Sequence, residues 1–357
     1  MNGERLVISD EWAALLFVRI YKRCKWTLLC LLILLASCER RDLTYYETAE
    51  ITLTVDWSQC GLDNEEEAAR GATVLFYPTN GGKPRIFLMG DYSRESVRLP
   101  VGTYNVILFN RSFTDFSNIA FRGRDKYETL EAYSKQIETR VDREADIRTI
   151  TASPEKLASA VVEGFVVTED MLGNYSQTTF GRSGYSSTQA DGSCTLHFVP
   201  EKLTHEVVAI IRVEGLNNIR SATCRLDGIA ESVFLATGKT SEMRVAQEFS
   251  PSNLVFDEGS LFNGMLTDRF NVFDIDFSHN HGLQLEAQLV DGKSTFERDY
   301  DNVKVTEKDN GEGVATIYVE AKTDKVPDVK PEGGSDSGFD VDVGGWGDEE
   351  NTDVPIE

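Results

Sequence analysis

What most constrains the fold of this chain is a period of two in its apolar residues, sustained in short runs from Glu47 to Glu320. Ile51, Leu53, Val55 and Trp57 alternate with Thr52, Thr54 and Asp56. Successive side chains of a strand point to opposite faces, so this pattern places one face in a core and the other in water. Thr73 to Tyr77 is a denser run closed by Pro78, then comes the turn signal Asn80-Gly81-Gly82 and a short run from Ile86 to Met89. Ser96 to Leu99 and Tyr104 to Phe109 flank Pro100-Val101-Gly102, with proline and glycine where a turn uses them. The second of these runs is apolar on both faces, which predicts a strand central in its sheet.

Between Ser112 and Glu138 the pattern loosens, which predicts a long loop with a helical turn. Ser153-Pro154-Glu155 supplies an N-cap, a proline at the first helical position and an early acid, and so predicts a short helix through Ala160, with a strand from Val161 to Val167. Residues 171–193 are rich in Gly, Ser and Thr and read as a linker or long loop. A second strand series begins at Cys194 and continues through 207–213, 222–226, 233–236, 243–246, 272–277, 283–290, 303–305 and 314–320. Its clearest member sets Leu283, Leu285, Ala287 and Leu289 against Gln284, Glu286 and Gln288, ahead of the turn pair Asp291-Gly292. Strands closely punctuated by turns, with almost no helical period, predict an all-β protein of two β-sandwich domains, 38–170 and 194–323.

The ends are different material. Basic residues Arg19, Lys22, Arg23 and Lys25 precede an apolar run from Trp26 to Ala36, which closes on Leu35-Ala36-Ser37-Cys38. A basic region, an apolar region and a small-residue cleavage site make residues 1–37 a signal peptide. Eleven apolar residues cover about half of a bilayer's hydrocarbon core, so a permanent span is the weaker reading. Leu-Ala-Ser-Cys resembles the bacterial lipobox, in which the cysteine is lipidated and the peptide before it removed; Cys38 is therefore the expected lipidation site and the membrane an expected partner. Residues 324–357 carry eleven acids against Lys325 and Lys330 and are expected to form an acidic tail. Within it Phe339, Val341 and Val343 alternate with Asp340 and Asp342, the pattern of a strand in need of a sheet edge.

Charge and composition exclude several functions. With 59 Asp and Glu against 36 Lys and Arg, the formal charge is −23, which repels phosphate backbones and excludes nucleic acid as a partner. Without residues 1–37 the charge is −25. Four histidines leave few general bases, and no G-x-S-x-G or H-E-x-x-H motif occurs, so no catalytic residue, metal ligand or cofactor is nominated. Asp274, Asp276, His279 and His281 group metal-ligand residue types, but on a strand end and its turn they read equally as solvated side chains. Cys60, Cys194 and Cys224 remain after processing; Cys194 and Cys224 read as small buried hydrophobes or as a disulfide. Tyr45, Tyr46, Tyr127 and Tyr133 read as packing residues or as glycan-stacking loop aromatics. Arg70 follows Glu65-Glu66-Glu67-Ala68-Ala69 and is a candidate for an arginine-specific protease.

The order of these features resembles a known family. The lipobox, Ile51-Thr-Leu-Thr-Val-Asp-Trp57, Val74-Leu-Phe-Tyr-Pro78, Leu99-Pro-Val-Gly-Thr-Tyr104 and Leu108-Phe-Asn110 are similar to the first domain of fimbrillin-type lipoproteins of Bacteroidota-type bacteria. Phe198-Val-Pro200, Val213-Glu-Gly-Leu216, Leu226-Asp-Gly-Ile-Ala230 and Leu289-Val-Asp-Gly292 are similar to the second domain, particularly of anchor fimbrillins. The resemblance implies two transthyretin-like (Greek-key) β-sandwiches and no catalytic residues. It also implies an outer-membrane, lipid-anchored role in fimbriae or adhesion, through β-strand complementation with fimbrial or other surface subunits. Phe339, Val341 and Val343 are then the candidate strand donor, and Arg70 the candidate cleavage site. The alternative is a glycan-binding surface lipoprotein of a nutrient-uptake system, with a host or glycan ligand as partner.

Overall fold

The computed structural model describes residues 45–62, 64–142, 145–172, 194–278, 280–309 and 315–331. Cys38, His279, the linker from residue 173 and the segment containing Phe339, Val341 and Val343 lie outside the described residues. The protein is all-β, and its strands form four sheets among the described residues.

The clean alternation from Ile51 builds β1 (Thr48–Val55), which pairs antiparallel with β4 (Arg94–Pro100) and parallel with β11 (Cys194–Phe198). This three-stranded sheet covers one face of a five-stranded sheet, in which β2 (Ala72–Pro78) and β5 (Gly102–Asn110) are central, flanked by β3 (Arg85–Met89) and by β10 (Ala158–Val167) with β12 (Glu201–Lys202). Ile51, Leu53, Leu196 and Phe198 meet Val74, Phe76, Val106 and Leu108 between the two layers. On the opposite face, Leu75, Ile107 and Phe109 meet Phe121, Ala132 and Val233 of a small sheet made by β6 (Ile119–Arg122), β7 (Glu131–Ser134) and β15 (Ser232–Phe234). Both faces of β2 and β5 are therefore buried, which is why their sequences run apolar without alternation. Each such Leu, Ile or Phe contributes about 1.5–3 kcal/mol through burial.

The remaining ten strands form one sheet. Its order is β17 (Asn253–Phe256), β18 (Asn263–Val272), β13 (His205–Glu214), β21 (Ala315–Lys325), β20 (Thr295–Asp309), β19 (His281–Leu289), β14 (Ile219–Ala230), β16 (Arg244–Phe249), β9 (Ala145–Ile150) and β8 (Ile137–Asp142). The long β20 pairs with β19 through its first half and with β21 through its second, so the sheet passes through it from one layer to another. The two layers face each other: Phe249 of β16 stacks on Phe270 of β18 with ring centroids 4.6 Å apart. Between them lies a core containing Val207, Ile211, Cys224, Leu226, Leu283 and Leu285.

Several expectations are corrected. No helix follows Ser153-Pro154-Glu155; residues 151–157 are irregular and β10 begins at Ala158. The helix signals are satisfied sideways instead: Ser153 Oγ donates to Asn271 O (2.9 Å), Leu157 N donates to Thr204 Oγ1 (3.0 Å) and Ala158 N donates to Asn110 Oδ1 (2.9 Å). The stretch 112–138 holds β6, β7 and the start of β8 as well as a 3-10 turn at Tyr127–Thr129. The 272–277 run is not a strand, since β18 ends at Val272 and only Ile275 bridges, to Ile229. Strands also exchange across residues 171–193: β11 joins β1, while β9 pairs in parallel with β16. The expected start of the tail at residue 324 falls within β21, which runs to Lys325, and the next residue, Val326, is fully buried with its N–H donating to Glu214 O (2.8 Å).

Candidate functional site: an open apolar strand edge

A sheet edge displays backbone donors and acceptors, so natural edges usually carry charge, proline or a cover. The edge strand β3 follows this rule, with Lys83, Pro84 and Arg85 at its start. β17 does not. Its four residues, Asn253, Leu254, Val255 and Phe256, carry no charge and are all exposed. They pair with Thr267, Leu266, Met265 and Gly264 of β18, and no strand among the described residues lies on the other side.

The local sequence explains why this edge is well formed. Gly259 adopts φ 76° in the connection to β18, and Ser260 Oγ accepts from Phe262 N (3.2 Å) and Asn263 N (2.8 Å), which closes the turn. Gly264 is required by close approach: a Cβ there would lie 2.3 Å from Val255 O and 2.7 Å from Leu216 Cδ2. Asp257 N donates to Asn263 O (2.9 Å), and antiparallel pairing alternates from that point. Val255 and Asn253 therefore face β18, while Leu254 and Phe256 turn their N–H and C=O groups outward. By the register, Leu254 shares a face with the buried Leu266, and Val255 lies on the opposite face with Met265.

The turn extends the patch. Leu261 is 78% exposed and Phe262 61%, next to Leu254, Val255 and Phe256 at 39–46%. Phe262 O accepts from Gly215 N (2.9 Å) and Leu216 N (2.7 Å), so this lip is fixed to the end of β13. Exposed apolar residues on a strand edge with no outer neighbour among the described residues have the geometry of β-augmentation, in which backbone groups give affinity and alternate side chains give specificity. Sequence reading missed it, although Leu254-Val255-Phe256 and Leu261-Phe262 are its signal.

The residues nominated from sequence fall in separate places. Arg70 closes the one-turn helix α1 (Glu65–Ala68), where it pairs with Glu66 (3.0 Å) and its N–H donates to Glu67 O. Asp274 meets Thr240 Oγ1 (3.2 Å) and Arg244 (3.6 Å), Asp276 Oδ1 accepts from Ser278 N and Oγ, and His281 is buried against backbone carbonyls. His281 meets Asp276 only through the backbone carbonyl, and the side chains of the three are engaged with different partners. Tyr127 is buried, with its hydroxyl donating to Glu163 (3.0 Å), and Tyr133 lies under the Arg122 guanidinium; Tyr45 and Tyr46 are exposed. Cys60, Cys194 and Cys224 are free thiols, with Cys194 and Cys224 in different sheets. No helix among the described residues is long and apolar enough to cross a membrane.

Comparison with known proteins adds the following. Over 108 residues the chain is 31% identical to a Bacteroides ovatus protein named as a fimbrium anchoring subunit, Fim4B; this stretch spans 30% of this chain and 30% of that relative's length. A crystal structure from Bacteroides ovatus ATCC 8483, described as an adhesin, is similar in fold at 16% identity, covering 82% of this chain and 99% of that one with a TM-score of 0.53. The model of the family described as a domain of unknown function, DUF5119, matches residues 37–250, well over half of the chain, and the protein belongs to that family.

Proposed function

We propose that this protein is a non-enzymatic, lipid-anchored component of a fimbrium or adhesive surface structure, of the anchor or tip type, that joins its partners by β-strand complementation. The observation that carries the reading is the apolar edge of β17, which has no strand on its outer side among the described residues and carries exposed Leu254, Val255 and Phe256. The likeness to a fimbrium anchoring subunit and the shared fold with a protein described as an adhesin support it. Attachment runs through a lipid on Cys38 to the outer membrane, Phe339, Val341 and Val343 supply a strand that can pair with an edge, and Arg70 is the candidate processing site. The glycan-binding alternative loses support from Tyr127 and Tyr133, since one is buried and the other is covered by Arg122.

The test combines both requirements in cells. Labelled palmitate enters the wild-type protein and not Cys38→Ala, and Val255→Lys/Phe256→Glu remains folded and lipidated but no longer co-purifies with fimbrial subunits. Undiminished co-purification of the edge variant would sink the strand-complementation reading.

A further inference from the structure

We propose that the outward face of the layer formed by β18, β13, β21 and the second half of β20 binds a carboxylated polysaccharide, with Arg212 and Lys322 holding a carboxylate between them. Their strands, β13 and β21, lie second and third inward from the edge strand β17, so this site goes beyond the strand-complementation reading.

The register places the residues of this face. Along β13, Val207, Ala209, Ile211 and Val213 line the core, so Glu206, Val208, Ile210 and Arg212 face outward. They pair with Asn271, Arg269, Thr267 and Met265 of β18, and Val208, Ile210 and Arg212 also pair with Tyr318, Glu320 and Lys322 of β21. Thr306 and Lys304 of β20 lie opposite Tyr318 and Glu320, and Lys308 lies opposite Thr316. The face therefore carries Arg212, Arg269, Lys304, Lys308 and Lys322 against Glu206 and Glu320. At the end of the strands Glu214 is in register with Lys325, and Asp324 meets Arg298 (3.3 Å) of the other half of β20. In a chain with 59 acids and 36 bases, this is a local reversal of sign.

Charge pairing on the face is uneven. Glu320 meets Lys304 (3.5 Å) and Lys308 (3.7 Å), and Glu206 meets Arg269 (3.4 Å). Arg212 and Lys322 sit directly across from each other on neighbouring strands, both exposed, and neither side chain has an ion-pair or hydrogen-bond partner among the described residues. Like charges in register destabilise a sheet. An acidic pair of the same kind, Glu286 opposite Glu297, is relieved by Arg225, 3.7 Å from Glu286. No such relief reaches Arg212 and Lys322 among the described residues, so an anion from outside completes them. A guanidinium takes both oxygens of a carboxylate in its fork, and the neighbouring ammonium adds a point charge.

The rest of the face selects the kind of anion. Protein interfaces are depleted of lysine and rely on buried apolar and aromatic anchors at their centres. Here Thr267, Thr306, Asn271 and the half-buried Tyr318 stand among the cations, a set of donors and acceptors suited to sugar hydroxyls. The acidity of the remaining chain opposes a dense polyanion such as duplex nucleic acid, with one charge per about 1.7 Å. A uronic-acid polymer spaces its carboxylates by whole sugar rings. Screening over about 8 Å then weakens the repulsion from acids elsewhere on the surface.

The test measures binding of fluorescent oligogalacturonate to the full chain in detergent by anisotropy. The wild type binds, and its affinity falls as NaCl is raised. Arg212→Glu/Lys322→Glu, folded by circular dichroism, binds about tenfold or more weakly. Arg212→Lys loses less, because it keeps the charge and gives up the fork. Lys83→Glu/Lys293→Glu makes the same change of net charge at exposed positions off this face and leaves binding unchanged. Co-purification with fimbrial subunits, which reads the β17 edge, persists in Arg212→Glu/Lys322→Glu, so the two readings fail separately. Absence of wild-type binding, or equal loss in both double variants, overturns the proposal. Poly-glutamate bound as tightly as oligogalacturonate overturns the polysaccharide and assigns the face to an acidic polypeptide.

Discussion

His281 Nε2 lies 2.7 Å from the backbone carbonyl of Asp276, and its Nδ1 lies 3.1 Å from that of Asp227. Carbonyls only accept, so both ring nitrogens must donate, and a neutral imidazole has one proton to give. The geometry therefore selects an imidazolium in a site where the ring is 2% exposed, with the Asp227 carboxylate 3.5 Å away as its counter-charge. The hydrogen bond to the Asp227 side chain raises the His281 pKa above its ordinary value, burial opposes this, and the two carbonyls add to the rise.

A pH dependence of stability follows, with a defined sign. Because the folded pKa is raised, the contribution of His281 is fully present below the unfolded value of about 6.5 and is lost as pH rises through the folded value. Thermal unfolding between pH 6 and 9 should show Tm falling with pH in the wild type and a flatter profile in His281→Phe, which is less stable at pH 6. Gly228→Ala should act through the same contact, since Gly228 adopts φ 77° and a Cβ there would lie 2.5 Å from the imidazole. A wild-type His281 ring resonance titrating below 6.5 would refute the assignment.

The same turn shows what the sequence could and could not disclose. Strands with one wet face, such as β1 and β19, were legible because alternation records two environments directly, and β5 was legible as a central strand because both of its faces are apolar. β18 was not, since Asp268 occupies an inward position between Leu266 and Phe270, and burial raises its carboxyl pKa there. β17 has no buried face to generate a period. The parallel pairing of Ile51 with Cys194 leaves no local trace, because register between strands so distant in the chain is decided by packing. Histidine and aspartates were legible as a group; their division among backbone carbonyls, Arg244 and Ser278 required the fold.

Arg111 and Glu67 form a buried forked ion pair, with Nε donating to Oε2 at 2.9 Å and Nη2 to Oε1. Arg111 is also the one non-glycine with positive φ among the described residues, at 65°. For Glu67, burial raises the pKa, but the hydrogen bond and charge of Arg111 outweigh it and the net direction is down. Its stabilisation is therefore present above the unfolded value of about 4.3 and fades as pH falls through the folded value. Glu67→Gln leaves a buried guanidinium without its counter-charge and should cost about 3–5 kcal/mol, measured by denaturant unfolding at pH 7.

The pair also controls access to Arg70. Glu67 sits in α1, whose carbonyl accepts from Arg70 N, and Gly71 O accepts from Arg111 N (2.8 Å). A protease must draw the Arg70–Gly71 bond into an extended form, which requires α1 to unwind and Glu67 to leave Arg111. Trypsin should therefore cut after Arg70 faster in Glu67→Gln than in the wild type, read by mass spectrometry of timed digests. Equal rates would show that the bond is reached without unwinding α1.

Thiol reactivity should follow burial. Cys194 is half-buried at the start of β11, Cys60 is buried with its Sγ donating to Trp57 O (3.2 Å), and Cys224 lies in the core, where burial pushes its thiol far above the usual range. The thiolate is the reactive form, so a maleimide should label Cys194 first and reach Cys224 only on unfolding. A non-reducing peptide map of protein secreted through an oxidising compartment should contain no Cys194–Cys224 linkage.

Trp57 and Tyr92 test how the first sandwich is closed. Their rings stack at 4.2 Å and 7°, and Trp57 Nε1 donates to Tyr92 O (2.8 Å). Each follows an aspartate that caps its own turn: Asp56 Oδ1 accepts from Ser58 N (3.0 Å) and Oγ (2.7 Å), and Asp91 Oδ1 accepts from Ser93 N and Oγ, both at 3.0 Å. The repeated Asp-aromatic-Ser pattern thus holds the end of β1 and the approach to β4 in matching conformations, with Val55 N donating to Ser93 O between them. Trp57→Ala should cost about 3–5 kcal/mol, a large part of a typical domain's stability. A double-mutant cycle with Tyr92→Leu should return a coupling of about 0.5–1.5 kcal/mol for the stacked rings. Additive losses would mean that each ring only fills volume, and that the two turns are held by their aspartates alone.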